Sequence, residues 1–251
     1  MRFSNASDTS MPMSLWNDII ELFFPRLCPV CGRKLLPDEA GICTGCLLRL
    51  PYTGLGNTPG NTLEQCFWGL FPIERASTLF VYDKDSPYAR LLHAMKYYHQ
   101  PRLCREMGRL MAQTWKESGF FDGIDCLVPV PLHPDRQRKR GYNQSEELAR
   151  GLSQVTGIPV CTTAVVRVRN NLTQTHKSVF ERWSNTDALF QTVPTAPTWL
   201  AGRHILLVDD VTTTGATLTA CAEALQGIPG LRISVASLAW SNYNFFGNRL
   251  K

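Results

Sequence analysis

Asp209 and Asp210 stand side by side after an unbroken aliphatic run, Ile205-Leu206-Leu207-Val208, and before Val211-Thr212-Thr213-Thr214-Gly215-Ala216-Thr217. Ionised carboxylates only accept hydrogen bonds, so a neighbouring pair suits the hydroxyl groups of a sugar. The turn that follows combines three threonines with a glycine and opens an apolar pattern at helical spacing (Leu218, Cys221, Ala222, Leu225). Free amides at a helix start, the positive end of its dipole and nearby hydroxyls all favour an anion such as a phosphate. Asp209, Asp210, Thr212, Thr213, Thr214, Gly215, Ala216 and Thr217 are therefore the candidate ligand residues. The turn is neither GxxxxGK[ST] nor GxGxxG, and it holds no paired nucleophile and base. The competing reading is a capped helix with two solvated acids, but a cap needs one hydroxyl or acid and not a loop of them.

Two further constellations carry chemistry. Cys28, Cys31, Cys43 and Cys46 form two CxxC knuckles followed by or containing Gly32 and Gly45. Paired thiolates at that spacing can meet one tetrahedral zinc ion at about 2.3 Å per bond, and four sulfur ligands leave no open position, so such a metal is structural. A redox CxxC normally comes singly ahead of a helix, which makes it the weaker reading. Arg136, Arg138, Lys139 and Arg140 place four cations within five residues just beyond Cys126-Leu127-Val128-Pro129-Val130-Pro131. They can face a pyrophosphate or a nucleic-acid backbone, and the alternative is a solvated charged loop. The polar stretch from Arg169 to Ser178, with Thr173, Gln174 and Thr175 at its centre, is long enough for a lid, with an ordinary hairpin loop as the alternative. His93 and His99 have no ligand-like neighbours in sequence, and Cys66 and Cys104 read as packing residues.

The elements that must position these groups alternate between strand and helix. Strands are expected at Ser77 to Tyr82, Cys126 to Pro131 (running into a loop), Ala164 to Val168, Ile205 to Val208 and Leu231 to Trp240, and helices around Leu91 to Met95, Leu103 to Trp115 and Leu148 to Val155. That alternation implies a doubly wound α/β domain, whose ligands bind at the carboxyl ends of its strands. Residues 1–25 are expected to form a leader with a short amphipathic helix (Leu15 to Phe24), 26–50 a zinc-binding domain, 51–76 a Gly/Pro-rich linker and 77–251 the main domain. The tail beyond Ser241 carries Tyr243, Phe245 and Phe246, which can dock on the domain or stack on bases. The formal net charge of +5 permits an anionic ligand or nucleic acid without demanding either. No apolar run reaches the length of a membrane span and no secretory leader is evident, so a cytoplasmic location is expected, and nine cysteines with four in a metal pattern fit a reducing compartment.

The stretch Val208 to Thr217 resembles the signature with which type I phosphoribosyltransferases hold 5-phosphoribosyl 1-pyrophosphate (PRPP). Adding the four-cysteine knuckle, Val128-Pro129-Val130-Pro131, Arg140-Gly141-Tyr142-Asn143-Gln144, Arg167, Thr173-Gln174, Arg182 and Asn185, the chain resembles the ComF competence-protein family from about residue 26 to 240. The resemblance implies a type I phosphoribosyltransferase-like parallel sheet with helices on both faces, preceded by a small zinc-ribbon-like domain. It implies that the acidic pair takes the ribose 2′- and 3′-hydroxyls, the Thr/Gly loop the 5′-phosphate, the Val-Pro-Val-Pro turn the pyrophosphate, and the segment near Thr173 to Ser178 the role of a flap, with Mg2+ accompanying PRPP. Two functions follow. One is a PRPP-binding protein of natural transformation and DNA uptake that binds single-stranded DNA and partners of the uptake machinery. The other is an active glycosyltransferase moving the phosphoribosyl group to a nucleobase or similar acceptor. A structural zinc-ribbon adaptor is a third, lesser reading, and no acceptor-reading segment or catalytic residue is visible in the sequence.

Overall fold

The computed structural model describes residues 25–169 and 188–241. Four parallel strands form its sheet in the order β1–β6–β5–β2, with β1 Ala76–Val81, β2 Cys126–Pro129, β5 His204–Thr212 and β6 Arg232–Trp240. β5 lies between β2 and β6, with Pro129 opposite Val208 and Val208 opposite Ala236. A parallel bridge from Leu127 to Val160 extends the edge beyond β2. Because a strand sends alternate side chains to opposite faces, the aliphatic run in β5 feeds two cores. Leu206 and Val208 join Met95, Met107, Leu148 and Leu152 on one face, while Ile205 and Leu207 join Leu200, Leu218, Cys221 and Leu225 on the other. This is the doubly wound arrangement expected, and it explains why the run from Ile205 to Val208 carries no polar residue.

The helices are α1 Thr44–Leu48, α2 Thr62–Gln65, α3 Ala89–Tyr97, α4 Pro101–Trp115, α5 Pro134–Arg140, α6 Gln144–Thr156, α7 Ala196–Leu200 and α8 Ala216–Leu225. α4 and α6 cross backbone to backbone. A Cβ on Gly108 would lie 2.1 Å from the Leu148 carbonyl oxygen, and one on Gly151 2.1 Å from that of Arg105. The Arg105 guanidinium donates to the Glu147 carboxylate across the same crossing. Short strands β3 (Val165–Arg167) and β4 (Phe190–Thr192) pair antiparallel in a separate ribbon packed against α8.

Three expectations differ from what is observed. Residues 51–76 are not a free linker: Leu63 and Phe67 are wholly buried, and α2 is tied to the start of β1. Asn61 accepts from the Leu63 and Glu64 amides at 2.9 and 3.1 Å and donates to the Ala76 carbonyl at 2.8 Å. Buried Glu64 in turn accepts from the Gly60 and Ala76 amides at 2.5 and 3.1 Å. The Gly and Pro residues mark turns within a packed segment, and the apolar spacing of Leu63, Phe67 and Phe71 is what reports the packing. The basic run is a helix, α5, and not a loop, because His133 caps it and Pro134 starts it. The acidic pair lies within β5, whose pairing with β6 continues to Thr212 opposite Trp240. The leader helix and the aromatic tail lie outside the described residues, and among the described residues no helix is long and apolar enough to cross a membrane.

Replacing Gly151 by Ala should lower stability by about 1–3 kcal/mol or more, since backbone atoms cannot yield to the added methyl. Urea unfolding would show this as a lower midpoint with an unchanged slope, and an unchanged midpoint would mean the helices can part at no cost.

Candidate functional site

Strand β5 delivers two carboxylates to the rim with unlike surroundings. Asp209 is 8% exposed. It accepts from the Ser145 hydroxyl at 3.0 Å and from the Asp210 amide at 2.8 Å. Burial pushes its pKa up to about 7, the neighbouring Asp210 charge adds to the rise, and the two hydrogen bonds oppose it. Asp210 is half-buried, with the Lys96 ammonium 3.0 Å from its carboxylate. Burial alone would pull Lys96 down, but Asp210 and then Asp209 outweigh it, and its pKa lies above the ordinary lysine value.

The loop after the acids surrounds a cavity of about 120 Å³ lined by Asp209, Val211 and residues 212–218. That is several times the roughly 30 Å³ a water molecule occupies in the liquid. Gly215, at φ +78°, caps α8, and a Cβ there would come 2.7 Å from the Phe67 ring. Only a residue without a side chain takes that conformation against that neighbour. Thr213, Thr214 and Ala216 are exposed, whereas Thr212 is buried and donates its hydroxyl to Ser237 at 2.9 Å. The Thr212 side chain therefore fastens the loop to β6, and its neighbours face the cavity. The first-turn amides of α8 have no intrahelical carbonyl partner, that of Ala216 donating to Thr214 Oγ1 at 3.4 Å, and a helix start of this kind favours an anion.

Of the four clustered cations, α5 separates two from two. Arg136 and Arg140, four residues apart, are half-buried, and Arg138 and Lys139 are exposed. Arg138 donates to the Asp135 carboxylate beside it. Arg140 donates to Gln144 Oε1 at 2.7 Å and lies 5.7 Å from the Tyr97 ring centre. The rest of that motif is architecture. The Tyr142 hydroxyl donates to the Met95 carbonyl at the end of α3, and Asn143 caps α6 while donating to the Val130 carbonyl at 3.0 Å. Arg167 on β3 is pulled below the usual guanidinium value by burial and then by the Arg136 charge, with Asp209 opposing. Two guanidinium groups and an acid are thus within electrostatic reach of one another. Thr173, Gln174, Thr175, Arg182 and Asn185 lie outside the described residues, in the stretch between β3 and β4.

The four cysteines form a second centre. Their sulfurs lie within 4.8 Å of one another, with Cys31 and Cys43 Sγ atoms 3.6 Å apart, and such a cluster can hold a metal ion. A tetrahedron with bonds of about 2.3 Å has edges of about 3.8 Å, so the donor set fits. Buried Glu39, unremarked in the sequence, ties the intervening loop to the second knuckle. It accepts from the Leu36 and Thr44 amides at 2.9 and 2.8 Å, which with Arg33 hold its pKa near 2. The module shares the main core through Val30, Leu35, Ile42 and Leu50, and the Tyr88 hydroxyl donates to the Cys46 carbonyl at 2.8 Å.

Lys96 and Ser145 are site residues that sequence reasoning missed. Each sits on a helix far along the chain from Asp209, and its role appears only once α3 and α6 pack on the sheet.

Residues 93–242 match the phosphoribosyl transferase domain family. The chain is 30% identical over 216 residues to the DNA utilization protein YhgH of Salmonella typhi, covering 81% of this chain and 92% of that protein. It is 28% identical over 232 residues to competence protein F of Haemophilus influenzae, covering 86% and 98%. A 99-residue stretch is 36% identical to competence protein ComFC of Bacillus subtilis, covering 39% and 37%.

The raised Asp209 pKa has a stability consequence. Between about pH 4 and about pH 7 the folded protein holds a proton that the unfolded chain has lost, so this group's contribution to stability falls as pH rises through that window. Asp209→Asn, neutral throughout, should melt several degrees or more above the wild type at about pH 8, with the gap shrinking toward about pH 4. A variant that melts lower at the alkaline end would contradict the assigned burial.

Proposed function

Because this chain belongs to the competence-protein family built on a phosphoribosyl transferase domain, we propose that it binds Mg2+·PRPP and serves DNA uptake in natural transformation, handling single-stranded DNA in the cytoplasm. The observation that carries the PRPP part is one cavity lined both by Asp209 and by the 213–217 turn at the start of α8. The acids accept from the ribose hydroxyls, and the turn's amides and exposed threonines receive the 5′-phosphate. Arg136 and Arg140, on the inner face of α5, supply positive charge for the pyrophosphate, with Arg167 across from them. Lys96 holds Asp210 in place, and Mg2+ bound with PRPP would supply neutralisation of the pyrophosphate charge.

The DNA part is supported by the relatives named for DNA utilization and competence. The metal of the cysteine cluster is, on this reading, one structural Zn2+, for which sulfur-only coordination is the usual setting. It secures the knuckle module against α3 and α4 and takes no part in ligand chemistry.

A thermal shift titration tests the reading. Saturating Mg2+·PRPP, at about a hundredfold over Kd, should stabilise the wild type by about 2.7 kcal/mol and leave an Asp209→Asn/Asp210→Asn variant unmoved. Equal shifts in both proteins, or none in either, would refute it, and metal analysis of the same preparation should return one zinc per chain.

A further inference from the structure

A second hollow, of about 430 Å³, lies away from the PRPP loop, between the first cysteine knuckle (Cys28, Pro29, Gly32) and Arg90, His93 and Tyr98 of the α3 region. Its rim continues as a row of rings across α3. His93 lies 5.4 Å from Tyr98 at 70° and 4.5 Å from Tyr97 at 38°, and the Arg140 guanidinium sits over the far side of the row, 5.7 Å from Tyr97. Tyr97 and Tyr98 are 58% and 62% exposed, which is costly apolar surface to leave side by side in water. Tyr side chains offer flat faces with few rotatable bonds, and a cation stands at each end, Arg90 in the hollow and Arg140 at the α5 rim.

We infer that this ledge is a stacking surface for the unpaired bases of single-stranded DNA, with Tyr97 and Tyr98 under successive bases, their phosphates drawn by Arg140 and Arg90, and one base accommodated in the hollow against the knuckle. Aromatic platforms flanked by cations bind single strands with little regard to sequence, because every base has a π-face. A duplex has its faces covered by its own neighbours and cannot use them. The hollow falls within the size range of small-ligand sites, roughly 300–1,000 Å³. The ledge also explains what the knuckle module is for: it walls one side of the hollow, and Arg90 donates to the Val30 carbonyl at 3.5 Å across the seam. The inference rests on the DNA-handling part of the proposed function and shares Arg140 with the pyrophosphate reading, so the variants that test it leave Arg140 intact.

Fluorescence anisotropy with a short labelled oligothymidylate, at one fixed salt concentration, tests it on the full chain. Tyr97→Ala/Tyr98→Ala should weaken binding by roughly tenfold or more, Tyr97→Phe/Tyr98→Phe should bind within about twofold of wild type, and a duplex of equal length should compete poorly. The alanine variant should keep its thermal shift with Mg2+·PRPP. Wild-type binding that the alanine variant retains in full overturns the ledge alone. No wild-type binding overturns the ledge together with the DNA part of the function, and loss of the PRPP shift in the alanine variant would reassign the tyrosines to the PRPP site.

Discussion

Asp209 is a carboxylate taken out of water and given two donors, the Ser145 hydroxyl and the Asp210 amide. That arrangement is uncomfortable, as its upward-shifted pKa records, and it persists because everything around it is fixed. β5 cannot slide, since it is paired on both sides and buried on both faces. Ser145 cannot withdraw, since α6 is locked to α4 by glycines that leave no gap and its first turn is capped by Asn143. Asp210 is held by Lys96. An acid kept partly desolvated beside an anion cradle is a poor stabiliser and a good acceptor for a sugar hydroxyl, and active sites commonly store strain in this form.

The loop beyond the acids depends on the same rigidity. Thr212 spends its hydroxyl on Ser237 and Gly215 lies on the Phe67 ring, so the turn is pinned at both ends and its middle threonines are left for solvent or ligand. Phe67 belongs to the segment 51–76, which therefore supports the site from beneath. The cysteine module is likewise part of the main core and not an appendage, through Leu35, Ile42 and Leu50.

The parts legible in the sequence were those whose signal is local. The buried run of β5, the acids, the hydroxyl-rich turn and the paired CxxC knuckles each declare themselves within a dozen or so residues, and the strand–helix alternation supplies the doubly wound class. What stayed hidden depends on packing between distant segments. Lys96 is an ordinary helix lysine until α3 meets the rim, and Thr212 looks like its neighbours until its hydroxyl is seen turned inward. The segment 51–76 reads as a linker because glycine and proline dominate its composition, although Leu63, Phe67 and Phe71 repeat at helical spacing and pack in the core. The cations of α5 read as one cluster in sequence, but a helix points them in different directions.

The central claim is that the phosphate and ribose of PRPP lodge together where β5 passes into α8. Amide hydrogen exchange with and without Mg2+·PRPP tests it most directly. The account predicts slowed exchange concentrated in residues 209–217, with the α4 and α6 crossing unchanged. Saturating ligand that leaves those amides exchanging as before, while slowing exchange elsewhere, would contradict it.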